Sequence, residues 1–382
     1  MKRVGVIGGG QLASMMGDAA KKLGVELVVQ TPSINDPAVS ISVENIFAPV
    51  DDANATAELA HKCDVITFEN EFVDIEALSK LAQGVCFRPQ LEALTPLLDK
   101  YHQRCYLRDL GLPVPRFVAL DLAFADDATF NQLGFPMVLK ARRHGYDGQG
   151  TFIIKEIESL KQKLELHNIN ENQNIFLLEE YIPFERELAV IAARSVSGEV
   201  VIYPVVETQQ EEQVCRRVIA PADISPKVAV EIEKIARTLL NSLQAVGIFG
   251  IELFLTADDK VLVNEVAPRT HNSGHFSIDA CVTSQFEQHL RAVCGMELGN
   301  TAMICPSAVM VNLLGYEISQ SDYITKRQQI EQIPQAHVHW YGKSQSRPGR
   351  KLGHVTVLLD GHNREQAMGS IARNIESIWY GN

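Results

Sequence analysis

Positive charge is scarce in this chain of 382 residues: 35 Lys and Arg stand against 47 Asp and Glu, a formal net charge of −12. A surface this acidic repels phosphate backbones, which excludes general binding to nucleic acid or anionic membranes. An anionic small substrate would need a local basic pocket. Long apolar runs are missing too. Nowhere do about 18 uncharged apolar residues follow one another, so no bilayer-spanning helix is expected. The seven cysteines (63, 86, 105, 215, 281, 294, 305) are odd in number and never form C-x-x-C. That argues against a disulfide framework or a thiolate zinc site and for buried thiols in a reducing compartment. The chain runs straight into a strand at Val4–Ile7 with no cleavable apolar segment, so it is read as cytoplasmic. The P-loop pattern G-x-x-x-x-G-K-[ST] is absent, as is any internal repeat.

What is present is a folded composition, 46% apolar and 21% charged, long enough for two or three domains. Up to about residue 95, strands alternate with helices: Val4–Ile7, a helix from Gln11 to Leu23, Val25–Gln30, Asp64–Phe68 and Gly84–Phe87. This pattern predicts a parallel α/β layer. A helix over Asp99–Leu110 follows, stopped by Gly111 and the prolines at 113 and 115. Strands then crowd together, as an antiparallel layer would have them: 115–120, 137–141, 151–155, 175–182, 187–194 and 200–206. A helix over 226–243 precedes a hairpin of 247–255 and 261–266, and a helix near 277–293 closes the region. Strands at 308–314, 337–341 and 354–359 and a last helix from His362 complete a reading of three lobes, α/β and α+β.

Four stretches carry chemistry. Gly8, Gly10 and Ala13 follow a strand at a helix start. Their backbone N–H groups could hold a phosphate, or the glycines could serve only a tight turn. A dinucleotide site would want a carboxylate at the end of the next strand, but that strand ends in Gln30, and Asp36 lies in a Pro-flanked loop. Lys140 ends an apolar strand and leads into the basic, glycine-rich run from Arg142 to Gly150. Such a loop can fold over a polyphosphate while the lysine supplies a point charge, or be a plain hairpin loop. The hairpin strands are apolar except for Glu252, Asn264 and Glu265. If 252 and 265 sit opposite one another, two like charges need a cation between them. Oxygen ligands suit Mg²⁺ and a nucleotide phosphate, the alternative being a solvated edge. The hairpin runs on into Arg269, His271, Asn272, Ser273 and His275, a set suited to a small oxyanion such as bicarbonate, or to a capped turn. The two histidines permit a zinc reading but lack the H-E-x-x-H helix.

Together with Thr67-Phe68-Glu69-Asn70-Glu71 and Arg347-Pro348-Gly349-Arg350-Lys351-Leu352-Gly353-His354, these motifs resemble the ATP-grasp superfamily. Within it they resemble the N5-carboxyaminoimidazole ribonucleotide synthetase family over almost the whole chain. The resemblance implies an ATP-grasp fold: a Rossmann-like preATP-grasp domain (1–98), an ATP-grasp domain of two lobes (99–300, lid about 142–150) and a small C-terminal domain (301–382). It implies ATP-dependent carboxylation of 5-aminoimidazole ribonucleotide with bicarbonate, through carboxyphosphate, in purine biosynthesis. ATP and Mg²⁺ (or Mn²⁺) would be required. A homodimer is implied, and docking of a mutase partner is left open.

By the same resemblance, Lys140 and Lys100 would meet ATP phosphates under the lid residues Gly145, Tyr146, Gly148, Gln149 and Gly150. Glu179, Glu180, Tyr181 and Ile182 would form the adenine linker, and Glu187 would hold the ribose. Glu252 and Glu265 would bind the metal beside Asn264. Arg269 and His271 would orient bicarbonate, with Asp147 the general base. Gln11, Glu69, Tyr146 and Asn272 would face the aminoimidazole nucleotide, whose 5′-phosphate Lys343, Arg350 and Lys351 would clamp. This chain departs from the family at Gln149, where Arg or Lys is usual, and in carrying Lys100 and Arg104 where arginine and lysine are common. The rivals are other ATP-grasp enzymes such as formate-dependent glycinamide ribonucleotide transformylase or biotin carboxylase, a dinucleotide-binding oxidoreductase, and a non-catalytic nucleotide binder.

Overall fold

The structure is a computed structural model and describes residues 1–82, 84–120, 133–143, 150–166, 175–360 and 364–381. Four parallel strands open the chain: β1 (Lys2–Ile7), β2 (Val25–Thr31), β3 (Glu44–Phe47) and β4 (Val65–Phe68), in the order β3-β2-β1-β4. The helical run after β1 divides at Met15 into Gln11–Ser14 and Met16–Leu23. The strand expected at Gly84–Phe87 is one parallel bridge, Ile66 to Phe87, because the chain turns away at Pro89 after too few residues to form a ladder.

The crowded strands are antiparallel, but they split between two sheets. β5 (Phe117–Ala119), β6 (Met137–Ala141), β7 (Thr151–Ile154) and β8 (Phe176–Glu180) form a small sheet ordered β5-β8-β6-β7. The large sheet begins with β9 (Phe184–Arg194). The run expected at 200–206 breaks at Pro204, which has no N–H to give a ladder, into β10 (Val200–Ile202) and β11 (Val206–Glu211), both paired with β9. Next come β12 (Val214–Ala220), then β13 (Gly247–Thr256) and β14 (Val261–Ala267), the expected hairpin. The later strands β15 (Ser307–Leu314), β16 (Ala336–Trp340) and β17 (Lys351–Leu359) join the same sheet through the β12–β15 pair. Its order is β14-β13-β9-β11-β12-β15-β17-β16.

The helix Pro226–Leu243 shows how sequence makes this layer. Ser225 caps it by accepting from Val228 N–H, and Pro226 at the first turn loses no needed bond. Val228, Ile232, Ile235, Ala236, Leu239 and Leu240 recur at helical spacing, and all are buried in one core cluster with residues of β9, β13 and β14. Each large member contributes about 1.5–3 kcal/mol of burial. The helix expected near 277–293 is two, Ser277–Ala280 and Gln285–Cys294, parted where Cys281 extends to bridge Met303. No helix among the described residues is long and apolar enough to cross a membrane.

Candidate active site

The strand pair β13–β14 places Glu252 directly opposite Glu265. The next pair is Leu253 with Val263, so Asn264 is an extra residue on β14. Neighbours on a regular strand point to opposite faces. A bulge suspends that alternation and re-aims side chains, and both Asn264 and Glu265 line the cleft with Glu252. Glu252 accepts from Asn264 Nδ2 at 3.3 Å and lies 3.3 Å from His271 Nε2. Burial pushes its carboxyl up, but the hydrogen bond and charge of His271, with Lys100, outweigh that and hold it at about 2. Glu265 is paired with Lys100 Nζ at 2.5 Å. Gly250 is required beside this pair: a Cβ there would sit 2.5 Å from His271 Cβ.

Lys140, buried at the end of β6, meets Glu179 Oε2 at 2.8 Å and Asn264 Oδ1 at 2.9 Å. Burial lowers its pKa, and the Arg104 and Lys100 charges push the same way against Glu179. Arg104 lies beneath, its Nε 2.5 Å from Glu179 Oε1 and its Nη2 donating to the Asn264 carbonyl at 2.6 Å. Burial would raise the Glu179 carboxyl, yet Arg104 and Lys140 hold it at about 2. The side chain of Glu179 is thus the counter-ion of two buried cations rather than a contact for a base. Glu180 is similarly engaged, by the backbone N–H and Nε of Arg116, each at 2.7 Å. Tyr181 and Ile182 line the cleft, as do Phe184 and Phe254, whose rings stack at 4.7 Å. The sequence reading missed this aromatic pair, although both residues stand beside motif positions. Glu187 is pushed up to about 7 by burial and then by the charge of Glu252.

Of the residues expected to form a lid, Gly145, Tyr146, Asp147, Gly148 and Gln149 lie outside the described residues. Gly150 is described, at φ +80° with the site of its missing Cβ 2.8 Å from Ala141 Cβ, a position only glycine fills without strain. At the end of β6, Arg142 is held by Asp99, its Nε lying 3.0 Å from both carboxylate oxygens. Asp99 also caps the helix Lys100–Asp109.

At the other end of the cleft, the glycine turn meets Glu69. The N–H groups of Gly10 and Leu12 bond its carboxylate, and Cβ atoms on Gly8 or Gly10 would each approach a Glu69 oxygen at 2.4 Å. The acceptor at this helix start is therefore the protein's own carboxyl group, which fills the place a phosphate would take. Burial raises the Glu69 pKa, with Arg269 opposing and Glu71 reinforcing. Gln30 is buried and donates to Pro49 and Asp52 carbonyls at 2.7 and 3.2 Å. The strand end that would hold a dinucleotide ribose is used within the fold.

Arg269 is bound by both oxygens of Glu71, at 2.5 and 2.8 Å. Burial disfavours the charge on Arg269, but the Glu71 partner more than offsets it and raises the pKa. Glu71 closes the Thr67–Glu71 stretch, and no neighbour in sequence points to Arg269 as its partner. Lys343 Nζ donates to Gln11 Oε1 at 2.5 Å and to the Lys351 carbonyl at 2.7 Å, joining the first lobe to the last strands. Arg350 reaches the Gln345 carbonyl at 2.6 Å. Asn272 exchanges amide hydrogen bonds with buried Asn312, at 3.0 and 2.8 Å, so much of its capacity serves packing. Lys140, Glu252, Glu265, Arg269, Glu69 and Lys343 all border one cleft of about 1620 Å³ that runs from Phe254 to Arg350.

A three-lobed chain whose lysine, carboxylate pair and basic far end share one cleft has the architecture of an ATP-grasp ligase. The ATP-grasp domain family matches residues 105–286, the ribonucleotide synthetase preATP-grasp domain 1–96, and the phosphoribosylaminoimidazole carboxylase C-terminal domain 308–368. The chain is 52% identical to the N5-carboxyaminoimidazole ribonucleotide synthase of Synechococcus elongatus, over 99% of this chain and 96% of that one. It resembles the crystal structure of an N5-carboxyaminoimidazole ribonucleotide synthetase in its ADP complex, with TM-score 0.90 and 34% identity, covering 100% and 97% of the two chains. The Aspergillus clavatus enzyme in complex with ADP and 5-aminoimidazole ribonucleotide gives 0.88 and 31%, covering 98% of each. The chain belongs to the N5-carboxyaminoimidazole ribonucleotide synthase family.

Proposed function

We propose that the two ends of the cleft divide the family's reaction, ATP-dependent carboxylation of 5-aminoimidazole ribonucleotide in purine biosynthesis, between residues 99–300 and the flanking segments 1–98 and 301–382. ATP lies along β6, β8 and β13. Lys140 supplies charge to its phosphates, the backbone at Tyr181 and Ile182 reads the base, and Glu187 takes the ribose hydroxyls. Glu252, Glu265 and Asn264 are an all-oxygen donor set, and the ammonium of Lys100 already rests against Glu265, so the set suits a cation. Mg²⁺ held there would neutralise phosphate charge.

The aminoimidazole nucleotide enters from the glycine-turn side, facing Gln11, Glu69 and Asn272, with its 5′-phosphate at Lys343, Arg350 and Lys351. Bicarbonate lies at Arg269 and His271 between them. Of the five N–H groups of an arginine, Arg269 gives three to Glu71 and the Thr270 carbonyl among the described residues. Two remain to orient an oxyanion. A bicarbonate oxygen attacks the γ-phosphorus and displaces ADP. The exocyclic amine then attacks the carboxyl carbon, phosphate leaves, and Asp147, beside Tyr146, takes the amine proton. Carboxyphosphate hydrolyses in water, so the enclosure of the cleft matters as much as its charge.

The observation that carries this reading is the facing of Glu252 and Glu265 in the same cleft as Arg269 and His271. The test is phosphate release from ATP with and without each co-substrate. Release should need 5-aminoimidazole ribonucleotide and bicarbonate together, and hydrolysis indifferent to both would defeat the proposal.

A further inference from the structure

Two motif histidines, His275 and His354, take no part in the reaction above, yet both are fully buried. His354 stands opposite His339 across the β16–β17 pair, their rings stacked at 4.6 Å and 16°. Gly353 permits the close approach, since a Cβ there would lie 2.6 Å from the His339 carbonyl oxygen. Asp279, on the short helix after the Arg269–His275 stretch, meets His339 Nε2 through Oδ2 at 2.8 Å and lies 3.7 Å from His337 Nδ1 through Oδ1.

We propose that Asp279, His339 and His354 form a site for a divalent transition-metal ion of the zinc type, separate from the carboxylate pair in the cleft. One donor atom from each lies within 4.8 Å of the others. Tetrahedral ions with bonds of about 2.0–2.1 Å hold their ligand atoms roughly 3.4 Å apart, so small side-chain shifts close the site. A second observation points to a ligand. Nδ1 of His354 is bonded to the Tyr341 hydroxyl at 2.8 Å, while its Nε2 is buried with no hydrogen-bond partner among the described residues. A buried ring nitrogen left unpaired calls for an explanation. An imidazole fixed through its other nitrogen is how proteins orient a metal ligand.

The donor set selects the ion. Two imidazoles and one carboxylate suit zinc-type cations, whereas Mg²⁺ and Ca²⁺ demand oxygen ligands. His339 and Asp279 are only partly buried and open a path for entry. The ion would tie β16 and β17 to the segment that follows His271. The ring of His275 lies 5.0 Å from that of His354, and its Nδ1 meets Gln285 Nε2 at 2.9 Å. Gln285 in turn holds both backbone groups of His271, at 3.0 and 2.8 Å. Occupancy would therefore brace the loop that carries His271.

The test titrates Co²⁺ into chelator-stripped full-length protein, with excess Mg²⁺ and ADP present to occupy the cleft. One Co²⁺ per chain should bind with visible absorption bands of a nitrogen-ligated site, and Zn²⁺ should displace it and raise the melting temperature. His339→Gln and Asp279→Asn should each weaken Zn²⁺ binding by about tenfold or more, with melting in chelator unchanged. No Co²⁺ bound by the wild type, or equal Zn²⁺ affinity in both variants, would overturn the site. If either variant folds poorly, X-ray absorption on the zinc-loaded wild type decides: two imidazole ligands support it and fewer refute it.

Discussion

Glu252 and Glu265 face one another across the β13–β14 pair, one against His271 and the other against Lys100. Two carboxylates so placed would repel, and the structure relieves this by giving each its own nitrogen partner. The extra residue at Asn264 brings a side-chain amide between Glu252 and Lys140.

Replacing Glu265 by Gln removes one carboxylate and leaves Lys100 without its partner. Phosphate release should fall by about 10²–10³-fold or more, the scale of losing a charge-stabilising group at a transition state. Melting should move little, because partly exposed pairs contribute about 0–1 kcal/mol. Near-normal turnover in this variant would remove the metal assignment.

Glu187 titrates at about 7 because burial, and then Glu252, oppose its ionisation. Its pKa is raised on folding, so its contribution to stability is present below the ordinary carboxylate range and is lost as pH rises through about 7. In the proposed ribose role, the ionised form would accept the hydroxyls. ADP binding measured by calorimetry should tighten from pH 6 to 8, by up to about tenfold, and Glu187→Gln should flatten that dependence. A wild-type profile as flat as the variant's would contradict the ribose role.

Arg104 is a structural residue on this geometry, buried between Glu179 and the Asn264 carbonyl. Arg104→Met leaves Glu179 with Lys140 as its remaining cation. The expected cost is about 3–5 kcal/mol, read from the midpoint of urea unfolding. A loss below about 1 kcal/mol, the range of exposed pairs, would mean that the ion pair does not organise the site.

Lys343→Ala should raise the KM for 5-aminoimidazole ribonucleotide about tenfold or more while leaving the KM for ATP unchanged, because a phosphate loses one charge-assisted contact. A shift confined to ATP would place the nucleotides the other way round in the cleft.

The sequence alone made the carboxylate hairpin readable. Isolated acidic positions in otherwise apolar strands are a local pattern, and strand pairing turns that pattern into a facing pair. Lys140 was readable for the same reason, as a charge ending the apolar strand before a glycine-rich loop. The glycine turn was readable as a tight turn but not in its purpose, because the carboxylate it cradles, Glu69, lies far along the chain. The place of Glu179 in the expected adenine linker does not disclose its side chain's partners, Arg104 and Lys140, which lie far off in sequence.

Periodicity and turn residues determined which segments are helix or strand and which few polar side chains interrupt them, since those signals depend on near neighbours. Only the tertiary structure decided that β15 to β17 extend the sheet of β9, that Asn264 is a bulge, that Arg269 is gripped by Glu71, and that Asn272 pairs with Asn312. These outcomes depend on which distant strands pair and in what register. The energy of each contact belongs to two separated residues at once, and no local stretch of sequence contains both.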